Sequence, residues 1–350
     1  MDKHIPREVL PVPIHKQAGP TMYTFKDLET KYERMKPLRP PEGAPNILLV
    51  LLDDAGFGSN SAFGGPCQTP TFERLSRNGL RYTRFHTTAL CSPTRQALLT
   101  GRNHHSVGMG TVSDMATTAP GYTSQRPDSA ATIAQMLRLN GYSTAQFGKC
   151  HEVPTWEWSP IGPFDRWPTN SGFEYFYGFI GGETSQFYPS LVEGTNSITP
   201  SRTPEEGYHL SEDLAERARR WIGMQRSLAP DKPFFLYFAP GATHAPIHVP
   251  DGWRDRYRGA FDKGWEDVRH ETFNRQKQLG IVPKECELTQ RPEGIPAWKE
   301  IPDNLKPVLI RQMELYAAFL EHTDYCVGRV IDMVENLGEL RSCRLVLDRP

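Results

Sequence analysis

Asn46-Ile47-Leu48-Leu49-Val50-Leu51-Leu52 is a near-continuous apolar run, and it ends in Asp53-Asp54. A short run without alternation is the pattern of a strand buried on both faces, as in a parallel sheet. Phe234 to Ala239 repeats it and leads to His244; Tyr142 to Phe147 reads as a further strand, with polar residues within it, and leads to Gly148-Lys149. Between these runs the pattern becomes helical. Pro70 to Gly79 reads as a short helix with Thr69 as cap and Gly79 as stop. Pro93 to Leu99 reads as a helix with proline in its first turn. Ser129 to Leu139 is amphipathic and closed by Asn140-Gly141, and Ser211 to Leu228 is a charged helix. Asn304 to Leu337 carries apolar residues three or four apart, with a bend expected at Gly328. Leu80 to Thr88 alternates like a strand. Strands alternating with helices predict an α/β sheet covered on both faces, with acidic residues and histidine at strand ends, where open α/β sheets place ligands.

Other segments lack a period. Residues 1–45 are polar and Pro-rich and read as an extended arm lying over the domain. Residues 152–209, rich in Gly, Pro and aromatics, read as a long loop region shaping a pocket. Residues 251–301 read as a polar, irregular insertion. Residues 341–350 form an atypical tail in which Leu345 to Leu347 is too short and poorly bounded for a core strand. The expected division is therefore an arm over 1–45, an α/β domain over 46–340 and a tail over 341–350.

Composition narrows the classes. The chain has 350 residues, 38% hydrophobic and 23% charged, with a formal net charge of −1. Bulk charge gives no reason to expect nucleic acid or a membrane surface as partner. The start has no apolar run of the signal-peptide kind, and Ile47 to Leu52 is too short to span a bilayer, so a cytoplasmic location is expected. Six cysteines form no C-x-x-C pair and read as reduced thiols rather than a zinc site or disulfide framework.

Four groups carry candidate chemistry. Asp53 and Asp54, after a buried strand, suit a hard divalent cation; Asp-Asp-Ala-Gly reads equally as a strand-to-loop turn. Cys91 by itself would be a small buried hydrophobe. Its context, Cys91-Ser92-Pro93-Thr94-Arg95 followed by Thr100-Gly101-Arg102, points instead to an anion site, with helix N–H groups and a guanidinium beside it. In Gly148-Lys149-Cys150-His151, alternate residues of an extended segment would point Lys149 and His151 the same way; the alternative is a solvated lysine and a turn histidine. His244 can exchange a proton near neutral pH. His248 reads as a loop or pocket-wall residue, and His104-His105 as either an entrance or a surface pair. Trp156, Trp158, Phe164, Trp167, Phe187 and Tyr188 form either an aryl pocket or loop packing.

Taken in order, Asp53-Asp54-Ala55-Gly56-Phe57-Gly58, the Cys91 to Gly101 block, Gly148-Lys149-Cys150-His151 and His244-Ala245-Pro246 resemble the sulfatases, and bacterial arylsulfatases in particular, over about residues 46–340. The resemblance implies an alkaline-phosphatase-like fold with a mixed, mostly parallel sheet. It implies that Cys91 is oxidised to formylglycine by a maturation enzyme and becomes the nucleophile once hydrated. Asp53, Asp54 and residue 91 would hold Ca2+, Arg95 would steady the nucleophile, and Lys149 would bind the substrate's sulfate. His244 would protonate the leaving group, and His151 would act as base in sulfate release. The substrate would be a small aryl or alkyl sulfate ester. A phosphatase of the same superfamily is disfavoured, because those relatives use Ser or Thr where Cys91 stands. Most relatives have Trp at position 150, which is expected to face away from the site. The family's late Asp-Asn pair and later lysine have no match in Arg341 to Pro350. The chain therefore reads as truncated or frameshifted after Leu340, with an unpaired sheet edge, poor solubility and weak or absent turnover expected; an inactive remnant is the alternative.

Overall fold

The computed structural model describes residues 36–340 and 343–348; the greater part of the expected arm lies outside them. The apolar runs form the centre of one seven-stranded sheet. In chain order the elements are β1 (Asn46–Leu51), α1 (Pro70–Asn78), α2 (Cys91–Thr100), α3 (Ile133–Leu139), β2 (Ser143–Lys149), β3 (Tyr175–Phe179), β4 (Leu191–Glu193), β5 (Asn196–Ile198), α4 (Leu210–Leu228), β6 (Phe234–Ala239), α5 (Trp265–Gln278), α6 (Lys306–Asn336) and β7 (Cys343–Asp348). The strand order is β5-β4-β3-β2-β6-β1-β7. Strands β3, β2, β6, β1 and β7 run parallel, and β4 and β5 add an antiparallel hairpin at one edge.

The absence of alternation in β1 has a direct cause. Leu48 and Val50 face a core closed by α4 and α6, while Leu49 and Leu51 face a second core closed by α2 and α3. Both faces are dry, so both need apolar residues. Among the described residues no helix is long and apolar enough to cross a membrane.

Several expectations need correction. Leu80 to Thr88 is no strand; Leu80, Tyr82 and Phe85 are exposed, and no described strand lies beside them to accept pairing. The helix expected from Ser129 starts at Ile133, because Thr132 and Gln135 close a capping box there. Residues 152–209 contain three strands as well as loops, and residues 251–301 contain α5. Thr69 is the N-cap residue of α1 but makes no side-chain cap bond; Asp324 of α6 instead accepts the backbone N–H of Thr71 and Phe72 at 2.9 and 3.0 Å. Helix α6 runs through Gly328 without interruption. That glycine serves close packing, since a Cβ there would lie 2.6 Å from Thr71 Oγ1.

The tail also differs from expectation. Cys343–Asp348 pairs in parallel with β1 from Asn46 to Leu51, so β1 is not the sheet edge. Cys343 is buried while Arg344 and Val346 are exposed. An edge strand needs no apolar residue on its open side, which is why its sequence carries a weak signal.

Candidate active site

The parallel topology places the C-terminal ends of β1, β2 and β6 side by side. Asp53 lies just past β1, Lys149 ends β2, and His244 follows β6. The connections are tied together: Asp53 N–H donates to Ala242 O at 3.0 Å, and Thr243 Oγ1 donates to Asp53 O at 3.0 Å. Tyr316 of α6 donates its hydroxyl to Asp54 O at 2.7 Å. Gly148, just before Lys149, has φ +105°, and a Cβ there would meet Ala239 O at 2.1 Å, so only glycine lets β2 end so close to β6.

The floor of the site is a buried charge cluster. Lys149 Nζ donates to Asp53 Oδ2 at 2.5 Å, and Arg95 Nη2 lies 3.3 Å from Asp53 Oδ1, with all three side chains fully buried. Arg95 Nη1 also donates to Lys149 O at 3.2 Å and to the Tyr237 hydroxyl at 3.3 Å. Burial pushes the Asp53 pKa up, but Arg95 and Lys149 outweigh burial and hold it below the ordinary carboxylate value. Burial likewise opposes the Arg95 cation, and Tyr237 and Asp53 more than offset it. Two cations facing one carboxylate leave the floor net positive, the sign an anionic group requires.

Above the floor stands the Cys91 side chain, at the first turn of α2 and partly exposed. Its Sγ is 3.0 Å from His151 Nδ1, and His151 Nε2 is 2.6 Å from Asp114 Oδ2. Burial, then Lys149, lowers the His151 pKa to about 4 against the opposing pull of Asp114. The ring is therefore neutral at pH 7. An ionised carboxylate only accepts, so Nε2 carries the proton and Nδ1 presents a lone pair to residue 91. His151 reaches this position differently from the alternation expected, because its φ is +54° and the chain turns out of the strand there. Cys150 points away, into a cluster with Val153, Trp167 and Phe176.

The lip is open by comparison. The Asp54 side chain is 60% exposed, with Oδ2 3.8 Å from His244 Nε2. His244 Nδ1 is 2.7 Å from Ala245 O and 4.0 Å from Glu183 Oε2. The sequence candidates Asp53, Asp54, Cys91, Arg95, Lys149, His151 and His244 thus converge on one end of the sheet. His248 stacks on Phe187 at 5.3 Å in the neighbouring wall. The His104 and His105 rings lie 4.3 Å apart at a tilt of 46°, and His105 meets the Tyr122 hydroxyl.

The six aromatics do not build one pocket. Trp158 and Phe164 pack with buried Trp167 around Cys150, while Trp156 and Tyr188 are 54% and 69% exposed. Sequence reasoning missed Asp114, Tyr237 and Thr243. Asp114 lies in a 3-10 turn within a glycine-rich loop, and nothing in its local pattern marks it.

The described residues do not by themselves fit a calcium ion. No three His, Cys, Asp or Glu side chains among them gather as a metal cluster. Asp53 already faces Lys149 and Arg95. Two carboxylates fall short of the roughly six to eight oxygens that Ca2+ takes.

Comparison with known proteins gives a consistent result. Residues 45–347 match the family model described as Sulfatase. An uncharacterised sulfatase of Schizosaccharomyces pombe is 30% identical over 319 residues, covering 85% of this chain and 55% of the relative. The arylsulfatase of Klebsiella aerogenes is 27% identical over 314 residues, covering 86% and 65%. The crystal structure of a sulfatase from a Pseudoalteromonas species superposes with a TM-score of 0.58 at 18% identity, covering 87% of this chain and 55% of that one. The chain thus spans between about half and two thirds of the length of these relatives.

Proposed function

Because the chain belongs to the sulfatase family, we propose that it is a sulfuric ester hydrolase of the arylsulfatase type, with residue 91 as the reacting position. The observation that carries this reading is the contact of Cys91 Sγ with His151 Nδ1 at 3.0 Å, beside the Asp53–Lys149–Arg95 floor. Converted to formylglycine by a maturation enzyme, position 91 supplies a hydrated aldehyde whose hydroxyl is a nucleophile toward sulfur. His151, neutral and oriented by Asp114, accepts a proton from residue 91. The cationic floor attracts and holds the sulfate's negative charge, and Asp53 keeps Lys149 and Arg95 in place. His244, on the open lip, gives a proton to the departing alcohol or phenol in this reading. Calcium remains part of the reading only as a family expectation for Asp53 and Asp54, and no step here depends on it.

The test compares sulfate with phosphate esters of the same phenol and labels residue 91 with a carbonyl-reactive hydrazide after co-production with a formylglycine-generating enzyme. Preference for the sulfate ester and labelling at position 91 support the proposal; preference for the phosphate ester overturns it. A second reading, a chain with the site but no turnover, is favoured by the shortage of metal ligands. Absence of both hydrolysis and calorimetric calcium binding would favour it.

A further inference from the structure

We infer that Glu152, behind the site, is a positioning residue: its buried carboxyl acts through Arg95 to set how strongly the floor holds an oxyanion. The inference rests on the sulfuric ester reading above in naming that anion as sulfate. Glu152 follows His151, whose φ of +54° turns the chain out of β2. The turn is fixed, because Cys150 and His151 donate their backbone N–H groups to Phe179 O and Ile180 O, each at 2.9 Å. Glu152 is only 7% exposed, and its Oε1 is buried without a hydrogen-bond partner among the described residues. No step of the proposed reaction uses it.

Two cations face this carboxyl, Arg95 from α2 and Arg126 from the loop before α3, together with the Cys150 thiol, which burial keeps neutral. Both cations direct hydrogen bonds elsewhere. Arg95 Nη1 donates to Lys149 O and the Tyr237 hydroxyl, and Arg126 Nη1 and Nη2 donate to Ala130 O and Ser171 Oγ at 2.9 and 2.8 Å. A carboxylate drawn to cations through space, with one buried oxygen unpartnered, is a costly charge. Burial accordingly pushes the Glu152 carboxyl up to about 7, against the pull of Arg95 and then Arg126. Below that value the floor sets Lys149 and Arg95 against Asp53 alone. Above it a second carboxylate faces Arg95, and the excess positive charge is gone. Sulfate keeps its two charges throughout, so the floor holds it more weakly as pH rises.

The test is calorimetric titration of the 1–350 chain with inorganic sulfate at about pH 6 and about pH 8, on either side of the Glu152 transition. Glu152→Gln and Glu152→Asp are measured beside it, with circular dichroism to check folding. Glu152→Gln keeps the shape and removes the charge. It should bind sulfate about fivefold or more tightly than the parent at the higher pH, the scale of one through-space charge interaction inside a protein, and equally at the lower. Glu152→Asp should keep the parent's weakening between the two. His151 and His244 are common to all three proteins, so the affinity ratios isolate residue 152. Equal affinities of parent and Glu152→Gln at the higher pH would overturn the inference. So would a loss at both pH values, the mark of a merely structural role. Hydrolysis of a sulfate ester by the parent would in either case leave the sulfuric ester reading standing. The same titrations with inorganic phosphate separate the claims the other way. A gain with phosphate at the higher pH, with no sulfate bound by any form, would keep the role of Glu152 and sink the sulfuric ester reading. Binding of neither anion by any form would overturn both.

Discussion

Asp53 and Asp54 are adjacent in sequence and opposite in circumstance. Asp53 is fully buried between Lys149 and Arg95, whereas the Asp54 side chain is 60% exposed at the lip near His244. The inner carboxylate compensates two buried cations and so helps to hold the fold as well as the site. The outer one faces solvent, where a charge is screened and interacts weakly with its neighbours. A pair that looks uniform in sequence therefore divides into a structural counter-charge and an accessible group, and burial makes the division.

The largest expected effect tests that division directly. Asp53→Asn preserves shape but leaves Lys149 and Arg95 without their carboxylate, and should destabilise the chain by about 3–5 kcal/mol in urea unfolding. Asp54→Asn should stay within about 0.5 kcal/mol, as exposed substitutions do. Equal losses would break the comparison. Next, Asp114→Asn should lower kcat for a sulfate ester by about 10²-fold, the lower end of what a positioned base contributes, with KM held. A KM effect alone would mean that Asp114 binds substrate rather than orienting His151.

A smaller effect lies away from the site. Asp324→Ala removes the carboxylate that caps α1 across the helix interface, and should cost about 1–2 kcal/mol with no change in substrate specificity. The least is a pH slope. The His151 pKa falls from its usual 6.5 to about 4 on folding, so the unfolded chain takes up this proton first as pH falls. Its contribution to stability is complete above about 6.5 and is lost progressively between 6.5 and 4. His151→Gln should flatten the stability profile in that window, and an unaltered profile would contradict the assignment of a buried, neutral ring.

Much of this was legible in the sequence because the signals were local. Ile47 to Leu52 and Phe234 to Ala239 announce strands buried on both faces, and the Cys91-Ser92-Pro93-Thr94-Arg95 block announces the site. Features whose causes are distant in the chain leave no such local signal. Asp114 matters only because folding brings it to His151, 37 positions later. Leu80 to Thr88 alternates, but alternation without a neighbouring strand gives no ladder. Cys343–Asp348 looks too weak for a strand, yet β1 supplies six consecutive pairing positions. The aromatics of residues 156–188 read as either a pocket or loop packing, because composition cannot tell a ring that lines a cavity from one that fills a core. An apolar cavity that the fold does form draws on Phe57, Ile247 and Tyr316, residues scattered over three segments.

The most direct test of the central claim is sulfate release from 4-nitrophenyl sulfate by the chain, co-produced with a formylglycine-generating enzyme, measured beside Cys91→Ala. Measurable release is expected, and it should disappear in the variant while its unfolding midpoint stays close to that of the parent. Release that persists undiminished in Cys91→Ala would contradict it, because position 91 would then not be where the chemistry occurs.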